Sequence, residues 1–185
     1  MDGREIMSIH EIVLPETEPE TEWILGRAVR KVSPYSAHAW LQRALVVALD
    51  PWAKGRGRVG TEWRFRVAPP AEIRRPLVPD VAYVRDERLR GLEGLDAQAP
   101  PFAPDLAIEI LSPGDRSRHV EHKVAVYLAG GALLVVVVDP ERREMTLHDA
   151  RGARTLRGDD VLTHPSLPGF ALPLPEFFAE AEPPR

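Results

Sequence analysis

Two carboxylates in this sequence stand where a carboxylate is costly. Glu109 lies inside the apolar run "DLAIEIL", between Ile108 and Ile110, and burying a charge without a partner is expensive. Asp80 opens the run "VPDVAYV", directly after Pro79. If the two runs are neighbouring strands, both acids can point at one spot. Two acids a few ångströms apart repel unless a proton or a cation sits between them. A hard divalent cation removes that penalty, because Mg²⁺ takes oxygen ligands and keeps several waters, so two carboxylates and a backbone carbonyl suffice. Lys123 falls on a predicted helix whose Val120 and Val124 form a buried side, and its long stem can reach back over the sheet. An ammonium there can orient a water or stabilise a pentacovalent phosphate. These are the parts of a metal-dependent phosphodiesterase. Blander alternatives stay open: a Pro-Asp step is a common turn, a helix-edge lysine commonly faces solvent, and Glu109 can form a structural ion pair with an arginine or with Lys123.

The elements that must position these residues follow from periodicity. "SAHAWLQRALVVAL" predicts a helix, with Ser36 able to cap it, Leu41, Ala44, Leu45, Ala48 and Leu49 on one stripe, and Pro51 ending it. Before it, "TEWILGRAVRKVSP" reads as a turn or helix end, a bend at Gly26 and a strand. "GRGRVGTEWRFRVAP" alternates as one half-solvated strand, with Trp63, Phe65 and Val67 inward and Arg64 and Arg66 outward. "VPDVAYV" and "DLAIEIL" are further strands, and "RDERLRGLEGLDAQAPPFAP" between them reads as a loop. "SRHVEHKVAVYLA" is a second helix stopped by Gly130 and Gly131, and "ALLVVVVDP" is a central strand covered on both faces. "REMTLHDA" and "ARTLRG" continue antiparallel, and "PEFFAEA" makes a last helical turn. Strand, helix and strand in succession argue for a β-α-β crossover. The expected fold is a single α/β domain over residues 21–185, with a mixed sheet flanked by helices, preceded by an irregular acidic arm over residues 1–20.

Composition narrows the chemistry. The 185 residues contain no cysteine, so disulfides and thiolate metal sites are excluded. The longest apolar stretch, "ALLVVVV", is too short to span a bilayer, and no segment reads as a signal core; a cytoplasmic protein with no membrane contact is expected. The net charge of -4 is uneven. Residues 1–22 carry seven acids against Arg4 alone, whereas residues 54–75 carry seven bases against Glu62 and Glu72. That basic stretch is either a solvated hairpin face or a surface that meets phosphates.

The ordered motifs resemble a known family. "GRAVRKVSPYSAHAWLQRAL", "PDVAYV", "PDLAIEILSP", "HKVAVY", "GG" and "VVVDP" look like the Uma2 family of restriction-endonuclease-like proteins, within the PD-(D/E)xK nuclease superfamily. The resemblance covers roughly residues 20–140 and implies a restriction-endonuclease-like core. Through it, Asp80 matches the strand aspartate and Glu109 the acid of the E-x-K element. Leu111 stands where that element's lysine would be, and Lys123 matches a lysine that has migrated to the following helix. Glu22 matches an upstream acid, His38 a histidine opening a helix, and Tyr127 a tyrosine that buttresses the lysine. Ile110 would lend only its backbone carbonyl to the metal. One departure stands out: the family often has an aspartate four residues before the lysine, and here that residue is His119.

The function implied is a Mg²⁺-dependent DNA endonuclease, with Mn²⁺ as a substitute cofactor, double-stranded DNA as substrate and a homodimer as the assembly. The competing function is a catalytically inactive nuclease fold that binds nucleic acid or serves as a scaffold. Fold alone does not choose between them.

Overall fold

The computed structural model describes residues 21–30, 36–69, 71, 73–113, 115 and 117–182. The expected acidic arm over residues 1–20 lies outside these. The described residues open with a hairpin, β1 (Thr21–Ile24) and β2 (Arg27–Arg30), followed by helix α1 (Ser36–Ala53). Strands β3 (Gly57–Thr61), β4 (Phe65–Val67), β5 (Arg75–Leu77) and β6 (Val81–Arg85) follow. Two short helices, α2 (Asp86–Leu89) and α3 (Gly94–Gln98), lead to β7 (Leu106–Ile110), α4 (Ser117–Ala129) and β8 (Leu134–Asp139). The chain then runs through β9 (Glu144–Asp149), β10 (Gly152–Leu156), β11 (Val161–Leu162), β12 (Leu172–Pro173) and α5 (Leu174–Ala179).

The main sheet has six strands in the order β10-β9-β8-β7-β6-β3. Only β7 and β8 are parallel, joined through α4, and every other neighbouring pair is antiparallel. This is the mixed sheet with one β-α-β crossover that the sequence predicts. Alternation along the strands divides the core in two. Val81, Tyr83, Leu106, Ile108, Leu134 and Val136 face Leu41, Leu45 and Leu49 of α1. On the opposite face Ala82, Val84, Ala107 and Val135 meet Val124 and Tyr127 of α4. No described helix is long and apolar enough to cross a membrane.

Five local expectations are corrected. The start of "TEWILGRAVR" is a strand, and Leu25 (φ 49°) with Gly26 (φ 73°) forms the two-residue turn of a hairpin; two positive φ values match the twist of paired strands. Pro51 does not end α1, which continues to Ala53. Ala53 is buried, and the Trp52 ring lies 4.8 Å from that of Tyr83 and donates through Nε1 to Pro168, so packing offsets the missing backbone donor. The long alternating strand is broken at Glu62 (φ 50°) into β3 and β4, and β4 pairs with β5 in a separate small sheet. Arg66, expected in solvent, is 6% exposed, with its Nε on the Ala99 carbonyl and its fork on Asp96. Finally, the loop after β6 contains α2 and α3, whose four and five residues are too short to show a period.

Burial also redraws the basic stretch. Arg66 and Arg75 are buried, and the exposed members are Lys54, Arg56 and Arg58. The register sets Gly57 against Arg85 and Thr61 against Val81, so the exposed bases gather at the end of β6 away from Asp80.

Candidate active site

β6 and β7 pair antiparallel, with Val81 opposite Ile108. Carried one residue further, this register sets Asp80 opposite Glu109. Residues directly opposite in an antiparallel pair share a sheet face, here the face that carries Ala82 and Ala107 and receives α4. Asp80 is 3% exposed, Glu109 7%, Glu22 6% and Lys123 6%. Four charged groups are therefore enclosed together at one end of the central strands.

Lys123 is the hub. Its ammonium lies 2.6 Å from Glu109 Oε2 and 2.7 Å from Glu22 Oε1. Glu22 comes from β1, and the same oxygen accepts the backbone N–H of Val78 at 3.0 Å, which ties the hairpin to the strand leading into Asp80. Burial alone would push the Lys123 ammonium down, but the carboxylates of Glu109, Glu22 and Asp80 outweigh it and hold the group well above its ordinary value of 10.5. With the folded value raised, the stability this ammonium contributes is present in full below the unfolded value. It is lost only as pH rises through the folded one, beyond the neutral range. Lys123 is thus a fixed cation at working pH and not a proton acceptor. Lys123, read from the sequence as a helix-edge residue whose stem reaches back over the sheet, is interior, held by two acids.

Tyr127, one helical turn beyond Lys123, donates to Glu109 Oε1 at 2.9 Å, so each oxygen of Glu109 has a partner on α4. Burial first, and then the negative charge of Glu109, raise the phenol well above its ordinary value, which keeps it a donor. Tyr127→Phe preserves the ring and removes that donor. It is expected to cost about 1.5–3 kcal/mol in urea denaturation, the range for hydrogen bonds to charged groups. A loss below about 0.5 kcal/mol would mean that the bond contributes nothing net.

Asp80 is oriented by two groups. Its Oδ2 accepts the backbone N–H of Ile110 at 2.6 Å, and its Oδ1 lies 3.4 Å from Nε2 of His38 at the start of α1. His38 reaches the site from the other side of the sheet, because α1 begins at the sheet end where β6 starts. A carbonyl at Ile110 was assigned to the metal by resemblance; what the structure displays at this residue is its N–H, spent on Asp80.

Two further side chains join the cluster. Gln42, one turn after His38, donates to the Asp80 backbone carbonyl at 2.8 Å and to Glu62 at 2.9 Å. Ser112 Oγ lies 3.1 Å from His38 Nδ1. Gln42 was legible only as the residue four after His38 on one helix face. Ser112 stood in the quoted "LSP" but nothing in the sequence pointed it at His38. Asp105, in the second Pro-Asp step, has a structural role: it accepts from Arg85 N–H and Nε at 2.9 and 3.0 Å and pairs with Arg88 at 3.1 Å.

Among the described residues, no group of three or more histidine or acidic side chains is disposed to hold a metal ion. The candidate donors are the carboxylates of Asp80 and Glu109 with a backbone carbonyl, a set that fits in type a hard cation that retains waters.

Comparison with known proteins agrees with this fold. The model of the Uma2 family, described as "Putative restriction endonuclease", matches residues 10–175. A crystal structure of a putative nuclease belonging to DUF820 from Anabaena variabilis ATCC 29413 superposes with a TM-score of 0.78 at 24% identity, covering 91% of this chain and 95% of that one. No curated protein matches the chain.

Proposed function

The chain belongs to the Uma2 family, within the PD-(D/E)xK nuclease superfamily, and from that premise we propose that it hydrolyses phosphodiester bonds in double-stranded DNA with a divalent metal ion. The observation that carries this reading is that two buried carboxylates, Glu22 and Glu109, meet the single ammonium of Lys123, while a third, Asp80, is buried opposite Glu109 on the neighbouring strand. A purely structural pair needs one acid for one base. Three buried acids with one lysine leave an excess of carboxylate oxygen, which favours a further cation.

Asp80 and Glu109, with the Ile110 carbonyl, would hold Mg²⁺ or Mn²⁺, which supplies an activated water and a Lewis acid for the phosphoryl oxygen. The protein's own residues do the rest. The Ile110 N–H and His38 aim the Asp80 carboxylate, and Tyr127 aims that of Glu109. Lys123 presents a permanent positive charge where negative charge grows on the phosphoryl oxygens, and a preorganised charge in a water-poor site is most effective there. Glu22 holds that ammonium from the second side. His38, beside Asp80, is placed to donate to a phosphate oxygen or to relay a proton.

DNA as the substrate is inferred from the family and not from the basic stretch, whose exposed residues lie at the far end of β6. A homodimer and a cytoplasmic site of action are carried from the sequence on the same footing. The second reading, an inactive nuclease fold that binds or scaffolds, draws on a different observation: both oxygens of Glu109 are engaged by α4. A time course of supercoiled plasmid with Mg²⁺, Mn²⁺ or chelator separates the two. Nicked or linear product in either metal and none in chelator supports hydrolysis. Intact plasmid in every condition, across varied DNA substrates, supports the scaffold.

A further inference from the structure

Ser112 lies two residues beyond the end of β7, in a turn closed from both sides. The Asp115 N–H donates to the Ser112 carbonyl at 3.0 Å, and the Ser112 N–H donates to Asp115 Oδ2 at 2.6 Å. The Leu111 N–H bonds the Val138 carbonyl at 2.9 Å, so the residue before the turn is fixed to the central sheet. The Ser112 hydroxyl is therefore not on a loose loop. It is held 3.1 Å from Nδ1 of His38, 74 residues away in sequence. The other ring nitrogen, Nε2, faces Asp80 Oδ1 at 3.4 Å. His38 is buried, at 8% exposure, and both of its nitrogens are thereby accounted for.

The chemistry of these partners fixes the ring. A carboxylate oxygen only accepts, so the nitrogen facing Asp80 must carry hydrogen. In an imidazole with one proton, Nδ1 is then bare and must accept, and a serine hydroxyl can donate to it. At 3.4 Å the His38–Asp80 contact is too long to set the ring by itself. The shorter contact, to a hydroxyl on a pinned backbone, holds the ring in the orientation that presents Nε2 to Asp80.

We propose that Ser112 is a positioning residue of the active site, acting through His38 to orient the metal-binding carboxylate of Asp80. This rests on the metal reading above and adds a member to its supporting shell. Groups that orient a metal-ligating side chain typically change metal affinity or activity by about 10–100-fold when removed.

The experiment has two readouts. Nitrogen-15 spectra of the His38 ring, taken metal-free across a pH series, report which nitrogen holds the proton in the neutral ring. Calorimetric titration with Mg²⁺ reports affinity. Wild type is expected to show hydrogen on Nε2 only. Ser112→Ala is expected to show a mixture of tautomers and affinity weaker by about 10-fold, and Ser112→Thr, which keeps the hydroxyl, to restore both. A single Nε2-protonated tautomer in Ser112→Ala overturns the proposal. So does a tautomer change with Mg²⁺ affinity at the wild-type level, because the ring would then not act on Asp80. A wild type that takes up no Mg²⁺ ends the metal reading and with it Ser112's action on a metal ligand, while the spectra still decide whether Ser112 sets the ring.

Discussion

Lys123→Ala is expected to slow DNA cleavage by on the order of 10²-fold or more, comparable to the loss of one oxyanion donor. The same change is expected to destabilise the metal-free protein by about 3–5 kcal/mol, the cost of leaving buried charge without its partner. Sequence alone argued for a modest stability effect, with Val120 and Val124 anchoring the helix. The structure corrects this, because the ammonium sits between Glu109 and Glu22 at 2.6 and 2.7 Å. Truncation leaves those acids facing each other without it. Lys123→Arg should rescue neither property well, since a wide planar fork replaces a compact point charge in an enclosed space. The checks are a plasmid time course in Mg²⁺ and a urea denaturation in chelator for all three proteins. Cleavage by Lys123→Ala at the wild-type rate would remove lysine from the mechanism and leave His38 as the next candidate. A stability loss below about 1 kcal/mol would mean that the ion pairs are screened as at a surface.

The second large effect is expected from Asp80→Asn. The amide keeps the shape and can still accept the Ile110 N–H through its carbonyl oxygen. It removes one of the site's three buried acids, and with it part of their mutual repulsion. Stability in chelator should therefore change little or rise. Divalent metal should act in the opposite sense. A saturating ion at about 100 times its dissociation constant stabilises a folded protein by about 2.7 kcal/mol. Wild type should show that gain in thermal melts, and Asp80→Asn should show almost none. A large loss of stability for Asp80→Asn in chelator would instead mark Asp80 as half of a structural ion pair.

Much of this fold is legible in the sequence, for identifiable reasons. Long or strongly periodic segments declare themselves: α4 matches the predicted "SRHVEHKVAVYLA", and the aliphatic run before Asp139 is a central strand. Glu109 declares itself because a carboxylate amid aliphatics requires a partner. Short elements do not. β1, β2, α2 and α3 span four or five residues each, too few to show a period. The break at Glu62 is hidden because alternation on either side continues in phase. Arg66 was read as solvent-facing from its type, and tertiary partners, the Ala99 carbonyl with Asp96, reversed that; Lys123 was read as reaching back over the sheet, and Glu22 with Glu109 hold it there. The contact between Ser112 and His38 depends on the meeting of α1 with the segment after β7, and no local pattern encodes it.

The central claim is that Asp80 and Glu109 together hold a divalent ion. Calorimetric titration of Mg²⁺ into wild type and into the double variant Asp80→Ala/Glu109→Ala, with folding of both checked by circular dichroism, tests it most directly. A saturable isotherm in wild type that vanishes in the double variant is the predicted result. Identical isotherms in the two proteins, or no binding to wild type, would contradict it.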